Sequence, residues 1–423
     1  MRKMKESGVE WIGTIPYDWK LLRLKNVAEK FCNGSSETQL SSGESEYPVT
    51  RIETISKGII DYTKVGYVEY LSAKYKLEKY DFLISNINSI AYLGNCAIFL
   101  KEKDLYHGMN LLRISPTLIN KWYLFYYFKS LCFKRNMQII CKPAINQASV
   151  SSSSIKNMRI PFPNAEEQQI IANYLNKKCA EIDALTADIK KQIETLEEYK
   201  RSVITEAVTK GLDPDVEMID SGMEFVGKIP ASWNAHPLYY YFDERKNKNM
   251  FGNESNLLSL SYGNVIRKDI NSNGGLLPES FNTYNIVEKG DIIIRPTDLQ
   301  NDKRSLRTGL VKEHGIITSA YIALKAIKNI NVEYVHYLLH SFDIMKVFYN
   351  MGNGVRQGLN FSEFSRLQIF EPSIEEQDKI VKYLNRKVSE IDGIISTKTK
   401  QLETIAEYKK SLIYEYVTGK KEV

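Results

Sequence analysis

Residues 166–209 return, without a gap, 209 positions later. Glu166-Glu167-Gln168, Tyr174-Leu175-Asn176, Glu181-Ile182-Asp183 and Glu198-Tyr199-Lys200 recur as Glu375-Glu376-Gln377, Tyr383-Leu384-Asn385, Glu390-Ile391-Asp392 and Glu407-Tyr408-Lys409, and 23 of the 44 aligned positions are identical. One chain must therefore find equivalent places for two copies of the same segment. A second phrase also repeats: Ser7-Gly8-Val9-Glu10-Trp11-Ile12-Gly13-Thr14-Ile15-Pro16 with Trp19 answers Ser221-Gly222-Met223-Glu224-Phe225-Val226-Gly227-Lys228-Ile229-Pro230 with Trp233. Between the phrases only pattern survives, as in Leu77 to Ile84 against Val287 to Ile294. The organisation is variable unit 1–163, constant segment 164–211, variable unit 212–372 and constant segment 373–423.

The constant segments read as long helices. Asn164 with Glu167, and Ser373 with Glu376, have capping-box spacing, in which the cap accepts from the third amide and the glutamate reaches back. Ile182, Leu185, Ile189, Leu196, Tyr199 and Val203 recur at helical spacing, as do Ile391, Ile394, Leu402, Ile405, Tyr408 and Leu412. Such a stripe must be covered, and its own copy is the natural partner. The expectation is an antiparallel coiled coil about 60–65 Å long at ~1.5 Å per residue. Gly211 and Pro214 close the first helix, and Gly419 lies near the end of the second. Gly393 replaces Ala184, and at ~1 kcal/mol for a helical glycine it predicts a local loosening or kink.

The variable units read differently. Strand-like runs at Val65 to Tyr70, Phe82 to Ser85, Cys96 to Leu100, Ile292 to Arg295 and Ile316 to Leu324 are broken by Gly, Asn, Ser and Pro clusters, with a short helix near Tyr123 or Tyr334. The fold class expected is α+β, two mixed α/β units separated by two long helices in a pseudo-two-fold repeat. Long loops are expected at 34–47 and 298–307.

No apolar run approaches the ~20 residues of a membrane span, and no apolar signal region follows Met1, which points to the cytoplasm. The five cysteines, all in the first half and without a Cys-x-x-Cys pair, fit free thiols. The net charge is +6; the constant segments carry −2 and +1, so the variable units and their joints hold +7. Clusters such as Lys129, Lys134, Arg135 and Lys142, or Lys303, Arg304, Arg307 and Arg356, suit phosphate contacts, although solvated basic faces have the same composition. Arg51, Lys57, Arg267 and Arg295 add to them. Asn86, Asn88, Asn146 and Gln147, then Thr297 and Gln357, supply groups of the kind that read base edges, and loops also favour such residues for turns.

Catalytic constellations are missing. There is no Gly-x-x-x-x-Gly-Lys-Ser/Thr loop, no Gly-x-Gly-x-x-Gly, no Asn/Asp-Pro-Pro-Tyr of adenine methyltransferases and no Pro-Asp followed by Glu-x-Lys of nucleases. His336 and His340 share a helix face as zinc ligands do, but no third ligand stands out, and packing or a surface face is the expectation. The runs Tyr239 to Tyr241 and Tyr123 to Phe128 are expected in the core rather than as platforms for bases.

With these marks on the page, above all Pro163 with Glu166-Glu167-Gln168, Pro372 with Glu375-Glu376-Gln377, and Glu-x-x-x-Glu-Tyr-Lys at 194–200 and 403–409, the whole chain resembles the specificity subunit of type I restriction-modification systems. The resemblance implies a DNA-reading, non-catalytic subunit. Each variable unit would be a target recognition domain for one half of a bipartite site on double-stranded DNA, with the helices as a ruler for the spacer. It also implies two adenine methyltransferase subunits bringing S-adenosylmethionine, and two motor-nuclease subunits bringing ATP and Mg. A coiled-coil scaffold with protein-binding heads is the alternative reading of the same organisation.

Overall fold

The duplication in the text is a duplication in space. The computed structural model describes residues 2–41, 43–55, 58–144, 147–269, 280–297, 306–351 and 358–423. It divides into two compact units: Met1–Lys190 with Lys400–Val423, and Lys191–Thr399. Each long helix thus gives one half of its length to each unit.

Unit 1 begins with a hairpin of β1 (Met4–Glu6) and β2 (Thr14–Pro16), followed by β3 (Lys20–Arg23) and β4 (Ala28–Asn33). Then come β5 (Phe82–Ile84), β6 (Ile87–Asn88), β7 (Cys96–Ile98), β8 (Leu112–Pro116), α1 (Lys121–Lys129) and α2 (Leu131–Ile140). After β9 (Lys142–Ala144), β10 (Gln147–Ser149) and β11 (Arg159–Phe162), the first long helix α3 runs from Ala165 to Lys210. A four-stranded antiparallel sheet has the order β4-β8-β5-β7. Its central strand shows how two-residue periodicity builds two cores: Phe82 and Ile84 face the α1 side with Tyr123 and Phe128, while Leu83 faces Ile55, Leu77 and Phe99.

Unit 2 repeats the plan. Hairpin β12 (Met218–Asp220) and β13 (Lys228–Pro230) leads to β14 (Asn234–Pro237), β15 (Phe242–Glu244), β16 (Ile292–Ile294), β17 (Thr308–Leu310), β18 (Ile322–Ala326), α4 (Val332–Ile344), β19 (Gln368–Glu371) and the second long helix α5 (Ile374–Val417). Its sheet order β15-β18-β16-β17 matches that of unit 1. Ile292 and Ile294 join one core and Ile293 the other. The shared Glu-Lys-x-Asp pattern is also explained. Asp81 and Asp291 each accept from the amide three residues earlier and pair with a largely buried arginine, Arg113 or Arg245, at 2.5 Å. The run Ile316 to Leu324, expected as one strand, is two, because a turn at Thr318 to Tyr321 separates Gly315–Ile317 from β18.

The long helices are continuous, about 69 and 66 Å for 46 and 44 residues at ~1.5 Å each. Gly393 does not kink α5, which passes through it unbroken. The helices pack antiparallel inside each unit. In unit 1, Ile182 near the start of α3 shares a core with Leu412, Ile413 and Val417 near the end of α5; in unit 2, Val203 and Ile204 share one with Ile380 and Leu384. The covered stripe differs from the expected one. Ile182, Thr186, Ile189, Ile193, Leu196, Lys200 and Val203 are buried or half-buried, and so are their counterparts Ile391, Ile395, Lys398, Leu402, Ile405, Lys409 and Leu412. Leu185, Tyr199, Ile394 and Tyr408, expected in the seam, are instead 47 to 55% exposed. The seam advances by steps of four and three, which puts those four positions one step round the helix from its centre.

Both helices end on a left-handed glycine, Gly211 at φ 76° and Gly419 at φ 69°. A side chain at Gly419 would strike Pro16 of the N-terminal phrase. The end of α5 thus receives β1–β2, with Lys420 Nζ donating to Ile12 and Thr14 carbonyls at 2.6 and 3.0 Å. No helix among the described residues is long and apolar enough to cross a membrane. All five cysteines are free.

Candidate nucleic-acid interface and its anchoring

The motifs that mark the repeat hold each variable unit to the helices, residue for residue. Asn164 Oδ1 and Ser373 Oγ accept from the amides of Glu167 and Glu376 at 2.8 and 3.2 Å, as helix caps should. The expected return half of each capping box is replaced: the glutamates accept instead from Trp19 Nε1 at 2.8 Å and Trp233 Nε1 at 3.0 Å. Glu167 also pairs with Arg2. Next in line, the buried Gln168 and Gln377 each accept from the amide of Asn120 or Asn331 at 2.8 Å and donate to the carbonyl of Pro163 or Pro372 at 2.9 Å. Those asparagines are the N-caps of α1 and α4. One glutamine therefore ties the start of the short helix to the entry of the long one. Asn176 and Asn385 accept from Tyr126 and Tyr337 hydroxyls at 2.9 and 2.8 Å.

The buried hydroxyl of Tyr123 lies 3.1 Å from the Pro161 carbonyl and 3.0 Å from that of Val417, and Tyr334 reaches Val208 at 3.4 Å. Burial raises the pKa of both phenols well above the ordinary tyrosine value, so they remain donors. Across the seam, Lys200 pairs with Asp392 and Lys409 with Asp183, each at 2.6 Å. The Glu-Tyr-Lys and Glu-Ile-Asp motifs thus pair reciprocally, as antiparallel copies must. The sequence displayed all these residues as motif letters, but nothing in it said what each would touch.

The outward groups divide into those the structure gathers and those it does not. Asn88 on β6, Lys142 on β9 and Gln147 on β10 come together in one three-stranded sheet of order β9-β10-β6. Lys142 and Gln147 are exposed. The amide of Asn88 is engaged locally, donating to Ser85 Oγ at 3.1 Å and accepting from Ser89 N at 2.8 Å. Ile90 and Tyr92, about half exposed just after β6, are neighbours that the sequence reading passed over. Arg51 is exposed and bonded to Gln39.

Two candidates are corrected by burial. Asn86 is 3% exposed and its amide donates to Val150 O at 3.1 Å; Arg307 is 1% exposed, its amide donates to Asp343 at 2.8 Å and its guanidinium to Arg295 O at 3.2 Å. Both are spent on holding loop bases. Arg267 is exposed but paired with Glu313, Arg295 is half-buried and Thr297 exposed. Lys57, Asn146, Lys303, Arg304, Arg356 and Gln357 lie outside the described residues. The two units join their reading segments alike, with Val150 N donating to Asn86 O at 2.8 Å and Leu359 N to Pro296 O at 3.0 Å.

His336 and His340 stack at 6.4 Å between ring centroids inside unit 2. Burial pushes them down to about 3 and about 4, so both are neutral at pH 7. No group of three or more His, Cys, Asp or Glu able to hold a metal occurs among the described residues. Of the tyrosine run 239–241 only Tyr241 is buried; Tyr239 and Tyr240 are 54 and 40% exposed, with Tyr240 stacked on His236.

The family described as type I restriction modification DNA specificity domain matches residues 16–195. A Methanocaldococcus jannaschii protein described as the specificity subunit of the type I restriction enzyme MjaX is 32% identical over 97% of this chain and 95% of its own length. The MjaVIII specificity subunit of the same organism is 26% identical, covering 96% and 93%. Among solved structures, a chain from work on complex assembly and conformational transition of the type I R-M system superposes with a TM-score of 0.71 at 13% identity, over 96% of this chain and 99% of the other. The HsdS subunit from Thermoanaerobacter tengcongensis gives 0.52 at 13% identity, over 96% and 98%. The anchored duplicate units and these likenesses agree: the chain belongs to the family of type I restriction enzyme specificity subunits.

Proposed function

We propose that this chain is the sequence reader of a type I restriction-modification complex. Each variable unit reads one half of a bipartite site on double-stranded DNA, and the paired helices fix the unspecified spacer between the halves. The chain itself catalyses nothing. Two adenine methyltransferase subunits bring S-adenosylmethionine, two motor-nuclease subunits bring ATP and Mg, and the assembly works in the cytoplasm. One observation supports this above the others: both units are anchored to the helices by matching hydrogen bonds, while the sheet carrying Asn88, Lys142 and Gln147 belongs to the part of the repeat that varies. Readers that differ on mounts that do not are what a two-part recognition site requires. A stiff mount suits half-sites about one duplex turn (~34 Å) apart, and joining the readers raises the effective concentration of the second contact.

Methylome sequencing of cells with and without this system tests the reading. The expected result is loss of adenine methylation at one bipartite motif with a fixed gap; loss of marks at a single undivided motif would overturn it. A DNA affinity that falls about 10³-fold or more between 50 and 200 mM salt is expected of a protein with several phosphate contacts. A flat response favours the scaffold reading.

A further inference from the structure

The long helices are most alike where they are exposed. Comparing 191–203 with 400–412, the outward pairs Gln192 and Gln401, Glu194 and Glu403, and Tyr199 and Tyr408 are identical. The inward pairs have drifted, Ile193 to Leu402, Leu196 to Ile405 and Val203 to Leu412. Stability alone gives the reverse pattern, because cores respond to single methylenes whereas solvent-facing side chains are nearly interchangeable. A surface kept constant above a changing core is being recognised from outside, and by the same partner in both copies.

In unit 1 that surface is concave. Glu403, Thr404, Glu407, Tyr408 and Ser411 line a shallow depression of about 540 Å³ on α5, and all five recur unchanged 209 positions earlier on α3. Tyr408 and Tyr199 are 55 and 51% exposed, and Ile394 and Leu185 extend the same two stripes. The charge is acidic. Glu407 holds Lys410 at 2.6 Å, whereas Glu403 has no ion-pair partner among the described residues. Glutamates four apart repel each other and weaken a helix, yet both copies keep the pair. Such a patch repels phosphates, so DNA is not its ligand. A tyrosine ringed by carboxylates and hydroxyls suits a protein face with lysines or arginines around an apolar socket, and tyrosines are frequent anchors of such contacts.

We infer that this repeated, tyrosine-centred acidic patch is the docking site of the methyltransferase subunit, one subunit to each patch. The inference rests on the proposed function and adds to it the contact surface and the reason for two copies. The full chain co-purified with its methyltransferase subunit, with the mass measured by light scattering, provides the test. The unaltered chain is expected to hold two subunits, Glu403→Arg with Tyr408→Ala one, and the further addition of Glu194→Arg with Tyr199→Ala none. Helical circular dichroism should stay constant throughout; if it falls, Thr404→Arg with Thr195→Arg replaces the set and is expected to abolish binding in the same way. Retention of two subunits by the four-site variant overturns the patch and leaves the proposed function standing. An unaltered chain that holds no methyltransferase overturns both. Self-association of the unaltered chain that disappears in the four-site variant overturns the assignment in favour of a second copy as the occupant.

Discussion

The two units agree at the helices and part company one turn away. Tyr126 with Asn176 and Tyr337 with Asn385 mark equivalent points of α1 and α4. Around them unit 1 places Trp122, Phe125 and Lys129 where unit 2 has Glu333, His336 and His340. In unit 1 the rings of Trp122 and Phe125 meet edge to face at 5.8 Å. In unit 2 a cleft of about 1300 Å³ opens, lined by Glu333, His336 and His340 together with Lys200, Arg201 and Lys312. The difference teaches where the duplication is constrained. Side chains that touch Glu-Glu-Gln, Asn or Lys of the long helices are fixed, and those facing the remainder of their own unit are free to change.

The strongest way to break the comparison is at its buried centre. Tyr123 and Tyr334 are both fully buried, each against its tryptophan at 6.5 Å between rings. Tyr123→Ala and Tyr334→Ala should each destabilise by about 3–5 kcal/mol, as for other large buried rings. Phenylalanine separates the two sites. Tyr123→Phe leaves the Pro161 and Val417 carbonyls without that donor and should cost ~1–3 kcal/mol, whereas Tyr334→Phe gives up one 3.4 Å contact and should cost less. Denaturant midpoints decide; equal costs for the two phenylalanine variants would show that the hydroxyls are not where the units differ.

A smaller and pH-dependent difference follows from His336. Its folded pKa is pushed down to about 3 by burial, with His340 and Lys312 adding to the effect, while an unfolded histidine titrates near 6.5. His340, down to about 4, adds to it, with Lys200 and Arg201 facing that ring. The unfolded state then binds more protons, so stability declines as pH falls from about 6.5 towards the folded values and is unaffected above that window. His336→Phe, the residue unit 1 uses at this place, should flatten the decline between pH 6.5 and 4. Unfolding midpoints at pH 7 and pH 4.5 measure it, and an unchanged difference between the two would remove His336 from the explanation.

Much of this architecture was legible in the letters. The offset of the repeat located both long helices and their caps, and two-residue alternation located the central strands at Phe82 and Ile292. What stayed hidden depends on direction in space. Leu185 and Ile189 are both apolar and both at helical spacing, yet only the second is covered, because a drift of one position around the helix is invisible to a count of apolar residues. Arg307 looked like a phosphate ligand, since a guanidinium bonded to carbonyls and one bonded to DNA are the same letter. The reading surface was the least legible part. Lys142, Gln147 and Asn88 are distant in sequence, and only the pairing of β10 with β6 makes them neighbours. The anchoring residues were visible as repeated text, but repetition reveals constraint and not the contact that imposes it.

The mildest test concerns the position where the helices differ most plainly. Gly393 occupies the place of Ala184, on the exposed side of α5, and a methyl group there would meet nothing within 4 Å. The helix is nevertheless regular, with Thr397 Oγ1 donating to the Gly393 carbonyl at 2.9 Å. Glycine in such a position only adds freedom to the unfolded chain. Gly393→Ala should therefore stabilise the protein by roughly 0.5–1 kcal/mol, read as a higher unfolding midpoint with an unchanged denaturant slope. The sign carries the information. A gain in the isolated chain together with weaker assembly would mean that a partner approaches the α5 backbone at Gly393 more closely than a methyl group allows, an approach that Ala184 forbids on α3; a gain in both would leave the two helices interchangeable there.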